Sequence, residues 1–123
     1  MHIRRFVYVL CMMLSITISG CSSGPGTQVK AYIAALDNGD TDAVTKMVSS
    51  RARRSAGAKL TMVLAEMSEN MKKAGGVKSV IVLNETVRGD TAQVSAVVTM
   101  GSGKVDTLKT ALVREGGAWK LNF

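Results

Sequence analysis

The sequence predicts an α+β domain, in which three N-terminal helices pack on one face of a four-stranded antiparallel meander. Two observations lead to this fold class. From residue 27 to residue 74, apolar residues recur with the period of a helix. From residue 77 onwards, β-branched runs alternate with polar residues and are broken by three glycine-containing turns. Because no helical segment separates the strands, a parallel, doubly wound sheet is excluded.

The N-terminal segment, residues 1–20, is expected to lie outside this fold. Arg4 and Arg5 precede an apolar stretch from Phe6 to Ile18. That stretch is shorter than the ~20 apolar residues that a membrane-spanning helix needs. A positive start, a short apolar region and small residues at its end are typical of a secretory signal peptide.

A four-residue motif ends this segment. Ile18-Ser19-Gly20-Cys21 resembles the lipobox of bacterial lipoproteins. The resemblance implies cleavage before Cys21, a diacylglycerol on its thiol, and an acyl chain such as palmitate on the new amine. Ser22 then implies sorting to the outer membrane, facing the periplasm, as in enterobacteria-like systems. An ordinary signal peptide followed by a chance cysteine is the alternative.

Removal of the signal peptide changes the chemistry that remains. Residues 21–26 form the acylated cysteine and a flexible tether, and residues 27–123 form the domain. The chain's formal charge of +7 becomes +5, because 14 of its 16 Lys and Arg residues remain together with all nine Asp and Glu residues. His2 and Cys11 leave with the signal, which excludes Ser-His-Asp and Cys-His catalysis and zinc sites built on these residues. We therefore expect no catalytic residue, metal or cofactor.

The three helices are predicted from apolar residues at helical spacing, from N-cap residues and from glycines that end the first and third helices. Thr27 caps the first, which ends at Asn38-Gly39. Asp40 caps a short second helix, and a long third helix runs from about Ala56 to Ala74 before Gly75-Gly76. The residues predicted to face inward are Val29, Tyr32, Ile33 and Leu36, then Ala43, Val44, Met47 and Val48, and finally Leu60, Val63, Leu64, Met67 and Met71.

The four strands follow from alternation and turns. They are predicted at Val77–Val87, Thr91–Met100, Val105–Arg114 and Ala118–Phe123. The second strand alternates most regularly, with Ala92, Val94, Ala96, Val98 and Met100 on its apolar face.

The order of elements, the Gly39-Asp40 pair before the second helix and the ending Gly116-Gly117-Ala118-Trp119-Lys120-Leu121 resemble the nuclear transport factor 2-like (cystatin-like) superfamily. In particular, the chain is similar to bacterial lipoprotein families of unknown function with that fold. The resemblance implies a cone or half-roll. Four strands are fewer than the usual five or six.

Two groups of residues are candidate binding sites. An apolar ligand could contact Tyr32, Met67, Met71 and Trp119, although core packing also explains them. Anionic lipid headgroups, lipopolysaccharide phosphates or an acidic partner could bind Arg51, Arg53, Arg54 and Lys59, although a solvated loop also explains these cations. The expected export and the absence of interleaved aromatics argue against nucleic acid as a partner.

The sequence thus predicts a lipid-anchored, non-enzymatic protein of the bacterial envelope that binds a small apolar ligand or docks to an envelope protein. One alternative is a structural module with a filled core, dimeric through the outer sheet face that bears Gln93, Ser95 and Val97. Another is an enzyme that uses Tyr32 with Asp42 or Asp106, which the lack of histidine disfavours.

Overall fold

The computed structural model describes residues 24–123, and in this range four helices precede four strands. The helices are α1 (Pro25–Asp37), α2 (Thr41–Met47), α3 (Ser50–Ala56) and α4 (Lys59–Lys73). The strands are β1 (Val77–Arg88), β2 (Thr91–Met100), β3 (Val105–Glu115) and β4 (Ala118–Leu121), and they form one antiparallel sheet in the order β1-β2-β3-β4. The predicted α+β class and meander are confirmed. The predicted signal peptide, lipobox and Cys21 lie outside the described residues.

The first helix begins earlier than the sequence predicts. Gly24 is its N-cap and Pro25 occupies its first turn, where the fixed φ of proline suits a helix and its missing N–H costs nothing. Pro25 and Gly26 are both buried. These two residues were expected in the tether, and Thr27 was expected as the cap, so both expectations are corrected.

A fourth helix, α3, replaces the predicted cationic loop. The Ser49 hydroxyl accepts a hydrogen bond from the Ala52 backbone N–H at 3.1 Å, which caps the helix. Gly57, at φ 58°, then ends α3, and α4 begins at Lys59 rather than at Ala56. Periodicity does not reveal α3, because its cap and its one buried residue, Ala52, occupy too few positions to establish a period.

The core lies between the helices and the inward face of β2. All five predicted inward residues of β2 are buried, as are Val29, Ile33 and Leu36 of α1. On α4, Leu60 and Leu64 are buried, whereas Val63 is 50% exposed and Met67 and Met71 are half-buried. The prediction that Val63 faces inward is wrong, because α4 packs along the line of Leu60, Leu64 and Ser68. Within residues 24–123, no helix has the length and apolar character needed to span a membrane.

Candidate functional site: an apolar groove at the open edge of β3

Part of β3 lacks a neighbouring strand on one side. β4 pairs with residues 112–115 of β3, and the Asn122 N–H extends this pairing by donating to the Ala111 carbonyl at 2.9 Å. The remaining part of β3, residues 105–110, pairs with β2 on one side, and among the described residues no strand lies beside it on the other side. We call this part the open edge of β3.

An apolar groove runs beneath the open edge. It has a volume of about 140 Å³ and lies between α1, α4, β2 and β3. Its lining residues are Tyr32, Ile33, Leu36, Met67, Met71, Val98, Met100, Asp106, Thr107 and Leu108. A second depression of about 370 Å³ continues from it around the end of β4 to Phe123 and shares Tyr32 and Leu108 with the groove.

The groove exists because the helices cover β2 but leave the same face of β3 partly open. In the β2–β3 pairing, Val98 stands opposite Asp106 and Ala96 stands opposite Leu108. The two β2 residues are buried, whereas Asp106 is exposed and Leu108 is half-buried. An apolar inward face therefore remains accessible from the side of β3.

Tyr32 places one polar atom in this apolar surrounding. Its hydroxyl donates to the Met67 sulfur, with 4.0 Å between Oη and Sδ. Burial raises the pKa of the Tyr32 hydroxyl above its ordinary value of 10.0, because the phenolate would lose its hydration. At neutral pH the group is therefore a protonated hydrogen-bond donor. The thioether is a weak acceptor, so this contact satisfies the hydroxyl only weakly, and the lining around it is mainly apolar.

The carboxylates considered as catalytic partners of Tyr32 do not bond to it. Asp106 is exposed, and its Oδ2 lies 3.9 Å from the Lys104 Nζ. Asp42 is exposed in the first turn of α2. The part of the chain from Gly24 to Phe123 also holds no cluster of three His, Cys, Asp or Glu side chains suited to a metal ion. The arrangement is suited to holding an apolar group.

Trp119 does not belong to this groove. It is buried in the core at the start of β4, where the Arg114 guanidinium lies 4.5 Å from the centre of its ring. In the β3–β4 pairing, Trp119 stands opposite Arg114. The backbone positions of Arg114 and Leu108 are six residues apart on β3, which is about 20 Å. The expectation that Trp119 joins Tyr32, Met67 and Met71 in one site is corrected: the three others come together, and Trp119 closes the far end of the core.

The predicted basic residues lie at the end of the molecule opposite the groove. Arg51, Arg53 and Arg54 are exposed on α3, and Lys59 is exposed at the start of α4. The Ser50 N–H donates to the Glu115 Oε1 at 3.0 Å, which places the start of α3 at the β3–β4 turn.

The N-terminus of α1 lies toward the same end of the sheet. The Gly26 N–H donates to the Glu85 carboxylate near the far end of β1, while at the other end of α1 the Val77 N–H donates to Asp37 at 3.1 Å. Residue 24 and the cations therefore share one end of the molecule. The groove lies at the opposite end, beside Leu36 and Met71.

Leu108 and Thr107, which border the groove, were not among the residues predicted for the site. A signal for them was present, because the predicted β3 is longer than the predicted β4 by several residues. Such a mismatch leaves part of the longer strand without a partner. The alternation of β3 also places Leu108 on the same side as Leu112, which is buried.

Comparisons with known proteins agree with this architecture. Residues 19–122 match a domain of unknown function, DUF4878. No curated protein matches the chain. An NTF2-like protein from Campylobacter jejuni, which its name proposes to be a transpeptidase, is 23% identical with a TM-score of 0.70, over 82% of this chain and 99% of that protein.

Two further solved structures are similar. A SEC-C motif-containing protein from Rhodopseudomonas palustris is 16% identical with a TM-score of 0.61, over 80% of this chain and 75% of that one. A de novo designed NTF2 fold protein is 19% identical with a TM-score of 0.50, over 77% and 78%. These likenesses confirm the predicted NTF2-like fold.

Proposed function

We propose that this chain, which belongs to the DUF4878 family of unknown function and has an NTF2-like fold, is a non-enzymatic binding module. Its groove receives an apolar group, either of a small ligand or of an envelope protein. The observation that carries the proposal is the apolar lining of a groove that the helices leave open beside Leu108.

The size of the groove indicates the class of group that fits. Its volume of about 140 Å³ is close to the ~150 Å³ of an engineered apolar cavity that binds benzene. One aromatic ring or one branched alkyl group therefore fits. Met67 and Met71 border the space, and their unbranched, polarisable side chains adapt to groups of different shape.

Toluene is a suitable probe for this proposal, followed by NMR of methionine methyl groups in the protein purified from cells that express the full chain. We expect toluene to shift the methyl resonances of Met67 and Met71. The matched control within the protein is Met62, which is 74% exposed on the other side of α4 and is expected not to respond.

A charge placed in the groove provides the matching variants. Met71→Lys is expected to abolish the toluene response of Met67, whereas Met62→Lys is expected to leave it unchanged. A response that is equal at all three methionines, or absent from Met67 and Met71, contradicts the proposed function.

The protein is also proposed to be anchored to a bacterial membrane through lipid on Cys21. Because α1 begins at Pro25, residues 22–24 alone would separate the anchor from the domain, a span of about 10 Å. Each buried methylene contributes about 0.8 kcal/mol, so two or three acyl chains hold the protein firmly to the bilayer. In this arrangement the groove points away from the membrane, into the envelope.

Two cysteine variants test the anchor. Cys21→Ser is expected to lose both the lipid mass and the partition into the membrane fraction. Cys11→Ser, within the predicted signal peptide, is expected to retain both. A Cys21→Ser protein that partitions with membranes and has the mass of a cleaved, lipidated chain overturns the anchor.

The basic end of the molecule supports a second contact with the membrane. The end of the molecule that holds residue 24 also holds four cations, Arg51, Arg53, Arg54 and Lys59. These cations would face the anionic headgroups beside the anchor, and each would contribute about 1 kcal/mol of attraction to the membrane. Binding of unlipidated Cys21→Ser to phosphatidylglycerol vesicles is expected to weaken with salt and with Arg51→Gln/Arg53→Gln/Arg54→Gln. Unchanged binding by the triple variant contradicts this contact.

A dimer through the outer sheet face is the second candidate role. Ile81, 57% exposed, stands opposite the half-buried Val97 in the β1–β2 pairing, and Gln93 and Ser95 continue this face along β2. Sedimentation at increasing concentration tests it. A dimer that Ile81→Lys converts to monomer supports this role, and a monomer at all concentrations contradicts it.

A further inference from the structure

We propose that the open edge of β3 binds an extended, acidic segment of a partner protein, which pairs with residues 105–109 as a fifth strand of the sheet. One apolar side chain of the segment enters the groove, and one acidic side chain meets Lys109. The inference rests on the proposed function, since it names the occupant of the same groove.

The backbone of the open edge supplies the donors and acceptors for such a strand. Along a strand, alternate residues direct their N–H and C=O groups to opposite edges. The Ala111 carbonyl accepts from the Asn122 N–H on the β4 side. The Arg114 N–H, in contrast, donates to the backbone carbonyl of Asp90 at 2.8 Å on the β2 side. Val105, Thr107 and Lys109 share the orientation of Ala111, so their N–H and C=O groups face the open edge.

These exposed backbone groups match a partner that has a backbone of its own. A small apolar ligand would fill the groove but would leave three donors and three acceptors to water. In an added antiparallel strand, the residues that face Val105, Thr107 and Lys109 would each exchange hydrogen bonds with them, at the regular spacing of a ladder. The existing Asn122–Ala111 hydrogen bond already sets the direction of that ladder.

The side chains define the rest of the segment. Residues directly opposite each other in a sheet point to the same face, so the residue that faces Leu108 would point inward toward Tyr32 and Met67. The residues that face Thr107 and Lys109 would point outward. The segment therefore alternates apolar and polar residues, as β-augmentation peptides do.

Charge favours an acidic segment. Lys104 pairs with Asp106, whereas Lys109 is exposed and forms no ion pair with the residues from Gly24 to Phe123. Cations also exceed acids by five once Arg4 and Arg5 are set aside. A glutamate opposite Lys109 would form a favourable cross-strand pair.

The probe is the peptide acetyl-Glu-Leu-Thr-Val-Thr-amide, written so that Glu faces Lys109, Leu faces Leu108 and the central Thr faces Thr107. Binding is measured by calorimetry with the protein purified from cells that express the full chain. N-methylation of the central Thr removes an N–H that faces β3, and it is expected to weaken binding about tenfold or more. N-methylation of the Leu, whose N–H faces away from β3, is the matched control and is expected to leave binding nearly unchanged.

Two protein variants test the same edge from the other side. Thr107→Pro removes an N–H that faces the open edge and leaves the β2–β3 hydrogen bonds in place, and it is expected to weaken binding about tenfold. Lys109→Glu is expected to weaken binding of the acidic peptide. The peptide in which Lys replaces Glu is then expected to bind Lys109→Glu more tightly than it binds the unsubstituted protein.

The outcomes separate this inference from the proposed function. Equal binding of the two N-methylated peptides, or absence of peptide binding, overturns the inference, while a toluene response of Met67 and Met71 would still support an apolar-group binding module. Self-association that Thr107→Pro abolishes would identify the occupant as a second copy of the chain, and this too overturns the partner segment.

Discussion

The two exposed edges of the sheet, β1 and the open edge of β3, differ in regularity and in what lies beneath them. β1 shifts register twice against β2, between Val77 and Ser79 and between Val82 and Asn84, whereas β3 pairs with β2 without a shift. Leu83, the extra residue at the second shift, is exposed. Bulges twist a strand and interrupt its ladder, which makes its edge a poor template for another strand.

The packing beneath the two strands differs in the same way. Val77, Val80 and Val82 of β1 and Leu108 of β3 all pack against the core, but of these four only Leu108 also lines the groove. The edge over filled core is thus irregular, and the edge over accessible apolar surface is regular. This difference is the physical basis for assigning binding to β3 rather than to β1.

Two substitutions on one face of β3 give the largest expected contrast. Leu112 is 1% exposed beneath the part of β3 that β4 covers, whereas Leu108 is half-buried at the groove. Leu112→Ala is expected to lower the free energy of unfolding by about 3 kcal/mol, because it leaves a cavity in a closed core. Leu108→Ala is expected to cost about 1 kcal/mol. Urea unfolding measures both, and equal losses would show that the groove is closed in solution.

A glycine substitution is expected to disturb the end of the groove. The Gly101 N–H donates to the Gly76 carbonyl at 2.7 Å, and a Cβ on Gly101 would lie 2.3 Å from the Gly75 oxygen. Gly101→Ala is therefore expected to lower the free energy of unfolding by about 2 kcal/mol by forcing α4 away from the β2–β3 turn.

The control for this substitution is Gly24→Ala, since nothing lies within 4 Å of a Cβ at that position. Its expected cost at the N-cap is about 0.5 kcal/mol or less. Urea unfolding of the two variants compares them, and a cost for Gly101→Ala no greater than that of the control would contradict the close approach of α4 to the turn.

Deletion of Leu83 is expected to make the β1 edge resemble the β3 edge. Val82 and Asn84, which pair with Ala96 and Ser95, would then follow each other without the extra residue. We expect stronger self-association, by about tenfold in the dissociation constant, because a regular apolar edge becomes available. Sedimentation measures the dissociation constant of self-association. Leu83→Ser, which keeps the extra residue, is expected to have the same dissociation constant as the unsubstituted protein. Unchanged association after the deletion would show that the bulge does not protect β1.

The smallest expected effect is that of Tyr32→Phe at alkaline pH. The folded-state pKa of Tyr32 lies above its ordinary value of 10.0, so the folded state retains a proton that the unfolded state releases. The contribution to stability is complete below pH 10 and declines as the pH rises through the folded-state pKa. Tyr32→Phe is expected to remove this part of the alkaline decline. The measurement is the free energy of unfolding of both proteins as a function of pH. If the two plots stay parallel above pH 10, the burial of the hydroxyl is contradicted.

Much of the fold follows from the order of residues along the chain. The stripe of α1, the alternation of β2 and the glycine turns predicted these elements, because each depends on neighbours within a few positions. Tyr32, Met67 and Met71 were proposed as ligand contacts from their residue types, and all three line the groove. The placement of Trp119, the orientation of Val63 and the helical state of residues 50–56 were not predicted correctly.

The tertiary structure alone decided which inward residues are covered. Leu108 and Leu112 have the same residue type, strand and face, yet Leu112 is fully covered whereas Leu108 is only half-buried. Periodicity reports which face a side chain occupies, whereas coverage depends on how far the helices and β4 extend across the sheet. The sequence by itself therefore determined an apolar inward face, and the packing decided that part of this face, beside the open edge of β3, remains accessible.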